Sequence, residues 1–188
     1  MTANVHEFAE MEAIAGKYDV PFRMDPLLFP KLNGDKSPLE LRVDPEVAIA
    51  CELKDQKRID SLLTYFKRSG GIKPSTRLYE CGSARNTFHI DANGTLRGCI
   101  LSDDVTYDVR KGTFAEGWDQ ALPAIREMRV SLTNECRSCK LRVVCGICPA
   151  IAKSEKGSAS AKCNYLCSIG MQRYTIISRE RELKNKED

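Results

Sequence analysis

The sequence predicts an α+β chain: a helix-rich stretch over residues 1–70, a small cysteine-rich domain over 76–175, and a charged helical tail over 176–188. Three observations predict it. Apolar residues recur at helical spacing through the first stretch. Two short β-prone runs flank Asn93-Gly94, the strongest local signal for a hairpin. Most of the nine cysteines crowd between Cys136 and Cys167.

The bulk numbers set limits. A length of 188 residues leaves room for one domain, or a small domain plus a fragment. A hydrophobic content of 42% supports a core. The net charge of +3 is too small to argue for a nucleic-acid partner. No apolar run approaches the roughly 18 residues of a membrane helix. Met1-Thr-Ala-Asn-Val-His-Glu7 has neither a basic start nor an apolar centre, so a cytoplasmic location is expected.

In chain order, residues 4–18 read as a helix. Asn4 is the expected cap, with Glu7 completing a capping box, and Phe8, Met11 and Ala15 form the apolar stripe. Pro21 to Pro26 reads as extended. Together these fit a β/α repeat caught at its end, whose strand lacks neighbours. Residues 30–40 are turn-rich. Asp44-Pro45 opens the next helix, with Val47, Ala50 and Cys51 expected on one face and Cys51 read as a small buried hydrophobe. A further helix carries Ile59, Leu62, Leu63 and Phe66 on one side. Gly70-Gly71 and Pro74 mark the expected domain boundary.

The hairpin follows. A two-residue Asn93-Gly94 loop places Phe88 opposite Cys99, with Phe88, Ile90, Arg97 and Cys99 on one face and His89 on the other. Over residues 112–129, Trp118, Leu122, Ile125 and Met128 recur at helical spacing, with Pro123 at a helix start or kink. After the cysteine run, Leu166, Ile169 and Tyr174 suggest a terminal helix.

The cysteines need a chemical reason. Disulfides fit poorly with the expected reducing compartment. Zinc is a second reading, but ribbon-type sites separate their Cys pairs by about 15–20 residues, and Cys139 is followed closely by Cys145. Iron–sulfur clusters are the third and favoured reading, because soft thiolates in close runs suit them. The stretch from Cys136 to Cys167 contains no Phe or Trp. Ordering it costs roughly 1–2 kcal/mol of backbone entropy per residue. Metal ligation supplies on the order of 10 kcal/mol per site, so a metal-dependent fold is expected there. Arg137, Lys140, Arg142, Lys153 and Lys162 lie beside the thiols in sequence, as counter-charges or as an ordinary basic surface.

Cys81, Gly94 and Cys99, then Cys136-x2-Cys139-x5-Cys145-x2-Cys148, then Cys167, resemble the SPASM domain. That domain carries auxiliary clusters at the C-terminal end of radical S-adenosylmethionine enzymes, many of which modify peptides or proteins. The run departs from the family in one place: two residues, Gly146 and Ile147, stand where the family usually has three. The resemblance implies two iron–sulfur clusters of the [4Fe-4S] type. Cys81, Cys99 and Cys148 would hold the first. Cys136, Cys139, Cys145 and Cys167 would hold the second, with Cys163 as a competing ligand. Residues 1–70 look like the last part of the radical-generating barrel, which would turn Asn4, Arg23 and Asp25 toward cofactor or substrate.

The family's Cys-x3-Cys-x2-Cys motif is absent. Cys163 and Cys167 have the first spacing, but Gly170 stands at the third position. The chain is therefore expected to be inactive alone, a truncated or split C-terminal portion that meets S-adenosylmethionine only with a radical-generating N-terminal half. The expected partners are that half and a peptide or protein substrate, with no nucleic acid and no membrane. A zinc-stabilised interaction module and a stand-alone electron-transfer protein are the alternatives.

Overall fold

The computed structural model describes residues 1–69 and 76–187. The fold is α+β, with a three-stranded antiparallel sheet in the order β1-β2-β3. The chain divides into two units, neither continuous in sequence. The first comprises Met1–Lys73, Cys139–Gly146 and Cys163–Asp188, and the second Pro74–Ser138 and Ile147–Lys162. The boundary expected at Gly70 to Pro74 lies outside the described residues.

In the first unit a 3-10 turn, Val5–Glu7, leads into α1, Phe8–Lys17. Phe8, Met11 and Ala15 form its partly buried face, as the periodicity requires. The expected capping box does not form. Asn4 precedes the 3-10 turn with φ −143° and ψ 12°, outside the β-region geometry that aims a capping oxygen, and its side chain makes no cap bond. From Phe22 to Pro26 exposure alternates, with Phe22 packed edge-on against Phe8, and Arg23 and Asp25 exposed. The strand expected here is absent among the described residues, because no hydrogen-bonded neighbour is supplied.

Helix α2 spans Pro45–Glu52, with Asp44 as N-cap residue and Pro45 in the first turn. Its buried face is Ala48 and Ile49 rather than Val47 and Ala50, and Cys51 is half-buried. The rotation follows from the packing of Ala48 and Ile49 against Val43 and Ile169. Helix α3, Gln56–Arg68, is capped by Asp55, which accepts from the Arg58 N–H. Its face of Ile59, Leu62, Leu63 and Phe66 packs with Val144 and Ile177. The terminal helix, Asn164–Glu187, thus joins both clusters of this unit, through Ile169 and Ile177.

In the second unit β1 is His89–Ile90, β2 Thr95–Cys99 and β3 Ser102–Asp108. The hairpin register differs from the expected one. Ile90 pairs with Leu96 and His89 with Arg97, so the loop is Ala92-Asn93-Gly94, three residues rather than two. Asp91 explains the extra residue: its Oδ1 accepts from the N–H groups of Asn93 and Thr95, while Gly94 takes a φ of +76°. A one-residue slip moves every side chain to the other face. Phe88 therefore does not oppose Cys99. Leu96 is fully buried, and Phe88 is 51% exposed, tilted against Phe114 and edge-on to Trp118.

Strand β3 is an element the sequence reading lacks: Val105, Tyr107 and Val109 alternate toward the core, but Asp103, Asp104 and Asp108 interleave with them and give the run the look of a loop. The helical stretch after it is broken into α4, Phe114–Glu116, a π-helical turn, Gly117–Ala121, and α5, Pro123–Glu127. Pro123 opens α5, as its missing N–H favours. Leu122 and Ile125 are fully buried with Tyr79, Ala84 and Leu96, and Trp118 and Met128 pack against them. Helix α6 is Pro149–Lys156, and we number the terminal helix α7. The cysteine-rich stretch buries more apolar surface than its composition suggests: Leu141, Val144, Ala150, Ile151 and Ala152 are all buried.

Candidate metal centre

None of the nine cysteines is in a disulfide. In the second unit, three thiols that are far apart in sequence share one neighbourhood. Burial pushes the Cys148 thiol up from its ordinary pKa. The backbone N–H groups of Ile151 and Ala150 pull it back, and the charges of Cys81 and Cys99 push it up again, so that the net shift is upward. Cys148 is the N-cap residue of α6. Its sulfur makes no cap bond of ordinary geometry, yet it stands where the helix N-terminus favours negative charge. Cys81 comes from the loop before the hairpin and Cys99 from the end of β2, so each thiol has a different scaffold.

A polar network borders these thiols. The Tyr79 hydroxyl donates to Asp104 Oδ2 and lies 3.3 Å from Ser102 Oγ. Ser102 Oγ donates to the same Oδ2 at 3.2 Å. Lys153 Nζ donates to Asp104 Oδ1 and to Asp103 Oδ1, each at 2.7 Å. Burial acts to raise the Asp104 carboxyl, but Lys153, Tyr79 and Ser102 together outweigh it and hold the group below its ordinary range. Burial, then the bond to Asp104, raises the Tyr79 phenol, with Cys148 contributing in the same direction. Sequence reading missed this network. The only local signal is a tyrosine two residues before Cys81; the rest requires the β2–β3 pairing.

The first unit presents the other thiols on the start of α7. The Cys167 N–H donates to the Cys163 carbonyl at 3.0 Å, and four-residue spacing puts both on one helix face. Gly170 continues that face. A Cβ added there would stand 2.5 Å from Cys145 Cβ, so Cys145 sits directly on the helix backbone. Cys145 and Cys163 are buried, and Cys139 and Cys167 are half-buried. Cys139 begins the turn that delivers Cys145: its carbonyl accepts from Arg142, and the Leu141 carbonyl accepts from Cys145. Cys136 belongs to the second unit and follows Asn134, whose Oδ1 accepts from its N–H. Arg173, on α7, donates to the Val144 carbonyl at 2.7 Å and pairs with Glu52 at 2.7 Å. It anchors the residue next to Cys145.

Several of the basic residues expected beside the thiols have their own partners. Lys153 is held by two aspartates, Lys162 lies 3.5 Å from Glu135, and Lys140 sits over the Tyr174 ring. Asn4, Arg23 and Asp25 line one cavity of about 240 Å³ in the first unit, together with Phe8, Phe22 and Arg42. Asp25 Oδ1 also accepts from the Leu27 N–H, a local turn bond. Among the described residues, no helix is long and apolar enough to cross a membrane.

The donor sets suit soft metal chemistry: thiols gathered from separate segments, one of them at a helix N-terminus. Among the described residues, no three His, Cys, Asp or Glu side chains meet closely enough to chelate one ion. A multi-iron cluster is bound at separate irons, so its thiolates stand around it rather than meeting at a point. No known family model, curated protein or solved structure matches this chain.

Proposed function

We propose that this chain is the auxiliary-cluster portion of a SPASM-type radical S-adenosylmethionine enzyme that matures a peptide or protein substrate. The observation that carries the reading is the gathering of Cys81, Cys99 and Cys148 from three distant segments. Composition alone gives no reason for those three to meet. In this reading they hold one cluster. Cys139, Cys145 and Cys167, with Cys136 as the fourth ligand, hold the other, and Cys163 competes for a position. Clusters bound there supply one-electron transfer and an iron site for substrate contact.

The chain's own residues have definite tasks in this reading. The start of α6 stabilises negative charge on Cys148, and α7 seats Cys145 against Gly170. Gly170 stands where a radical-generating motif needs its third cysteine, so reductive cleavage of S-adenosylmethionine is assigned to a separate half. Residues 1–70 serve as the barrel-tail segment that meets that half, and the cavity of Asn4, Arg23 and Asp25 faces its cofactor or substrate.

The test is metal and sulfide analysis of anaerobically purified and reconstituted protein. Iron with acid-labile sulfide and broad visible absorption is expected. Stoichiometric zinc without sulfide would replace this reading with a zinc-stabilised module. Comparing Cys163→Ala with Cys167→Ala tests the ligand assignment: loss of one cluster's iron is expected only from Cys167→Ala. Supplied with S-adenosylmethionine and a strong reductant, the chain alone is expected to form no 5′-deoxyadenosine.

A further inference from the structure

We infer that Asp104 is the positioning residue of the Cys81–Cys99–Cys148 site, because its carboxylate ties together the three segments that carry those thiols. Tyr79, which donates to Oδ2, lies two residues before Cys81. Ser102, which donates to the same oxygen, is the direct cross-strand partner of Cys99. Lys153, which donates to Oδ1, lies on α6, the helix that Cys148 opens. Tyr79 and Ser102 are 3% and 2% exposed, so water does not replace these bonds.

The chemistry of the hub is specific. All three partners are donors, and they approach from both sides of the carboxylate. An Asn side chain has one acceptor and one donor end. Placed at 104 it would satisfy either Lys153 or the Tyr79–Ser102 pair, and its amide would oppose the other. Asp103 shares Lys153 but is 72% exposed and touches neither Tyr79 nor Ser102 in the network, so it serves as the control.

This inference deepens the proposed function by naming what places its thiols, and its test does not depend on which metal binds. Metal-free, full-length protein is treated with dibromobimane, which bridges neighbouring thiols, and the bridged pairs are mapped by mass spectrometry. Bridges among Cys81, Cys99 and Cys148 are expected in the unaltered protein. Asp104→Asn should lose them while bridges among Cys145, Cys163 and Cys167 persist. Asp103→Asn should keep both sets. Adding Lys153→Gln to Asp104→Asn supplies an acceptor for the new amide and should restore the lost bridges.

In reconstituted protein, iron affinity at this site should fall about 10–100-fold in Asp104→Asn, as outer-shell losses do. One of two electron paramagnetic resonance signals should weaken with it. An unchanged bridge pattern in Asp104→Asn overturns the inference. If both sets of bridges fall because the variant unfolds, Tyr79→Phe decides, since it removes one donor and leaves the charge pair. Selective loss then supports the inference, and no loss overturns it. Normal bridging in a protein that takes up no iron and sulfide removes the cluster reading and leaves the positioning role standing.

Discussion

The two sets of thiols are held by opposite means. Cys81, Cys99 and Cys148 come from a loop, a strand end and a helix start, and a buried carboxylate network borders them. Cys167 lies in the first turn of α7 and Cys163 immediately before it, and Gly170 lets Cys145, from the preceding turn, come up against that helix. The first arrangement depends on long-range pairing and is absent from any short segment. The second depends mainly on helical spacing, with one outside contact. The same residue type is thus placed by tertiary structure in one unit and largely by local structure in the other.

The largest expected effect tests the tertiary half of that contrast. Ile125 is fully buried under β2 with Leu96 and Leu122. Ile125→Ala should cost about 2–5 kcal/mol and expose β2 and β3 to hydrogen exchange. Protection retained in both strands would show that the sheet does not rest on this core. Next comes the anchor of the local half. Glu52 and Arg173 are 23% and 13% exposed, and Arg173 also holds the Val144 carbonyl. Glu52→Ala should cost about 1.5–3 kcal/mol in urea unfolding, the range for hydrogen bonds to charged groups.

Gly170→Ala should have a smaller net effect. Its Cβ would meet Cys145 Cβ at 2.5 Å and Cys145 Cα at 2.9 Å. Overpacking costs about 1–3 kcal/mol, and the better helix propensity of Ala returns about 1 kcal/mol. A faster reaction of Cys145 with a thiol reagent would mark its displacement; an unchanged rate would mean that the loop adjusts without moving the sulfur.

The smallest effect is a pH dependence. The Asp104 carboxyl is held below its ordinary value in the folded state, against the opposing effect of its burial. Its contribution is therefore complete above the unfolded carboxylate value, about 3.9, and is lost as pH falls through the lower folded value. Lys153 is raised, chiefly by its bonds to Asp103 and Asp104, so its contribution is present at neutral pH and lost only above the ordinary lysine range. Asp104→Asn should flatten the acid limb of the stability profile. An acid limb as steep as that of the unaltered protein would assign it to other carboxylates.

Much of the architecture was legible in the sequence. The stripe Ile59, Leu62, Leu63 and Phe66 forms the inner face of α3, and Trp118, Leu122, Ile125 and Met128 join one core, because helical burial repeats with the helix period. The hairpin was legible as a hairpin but not in its register. Asp91 uses its side chain to accept from two backbone donors, and that competition lengthens the loop by one residue. Strand β3 carried a short alternation, Val105, Tyr107 and Val109, that its interleaved aspartates obscured, and the Asp104 network was not legible at all, since it forms only when pairing with β2 buries Ser102 and half-buries Asp104.

The sequence by itself determined which residues are able to bind soft metals and which helices bury which faces. Residue chemistry and local periodicity travel with the chain and need no partner. Only the tertiary structure decided that Cys81 and Cys99 share a neighbourhood with Cys148, that Gly170 is a seat for Cys145, and that one carboxylate links three segments. These are relations between residues far apart in sequence, and they come into being only when the β2–β3 ladder and the α7 packing fix those residues in space.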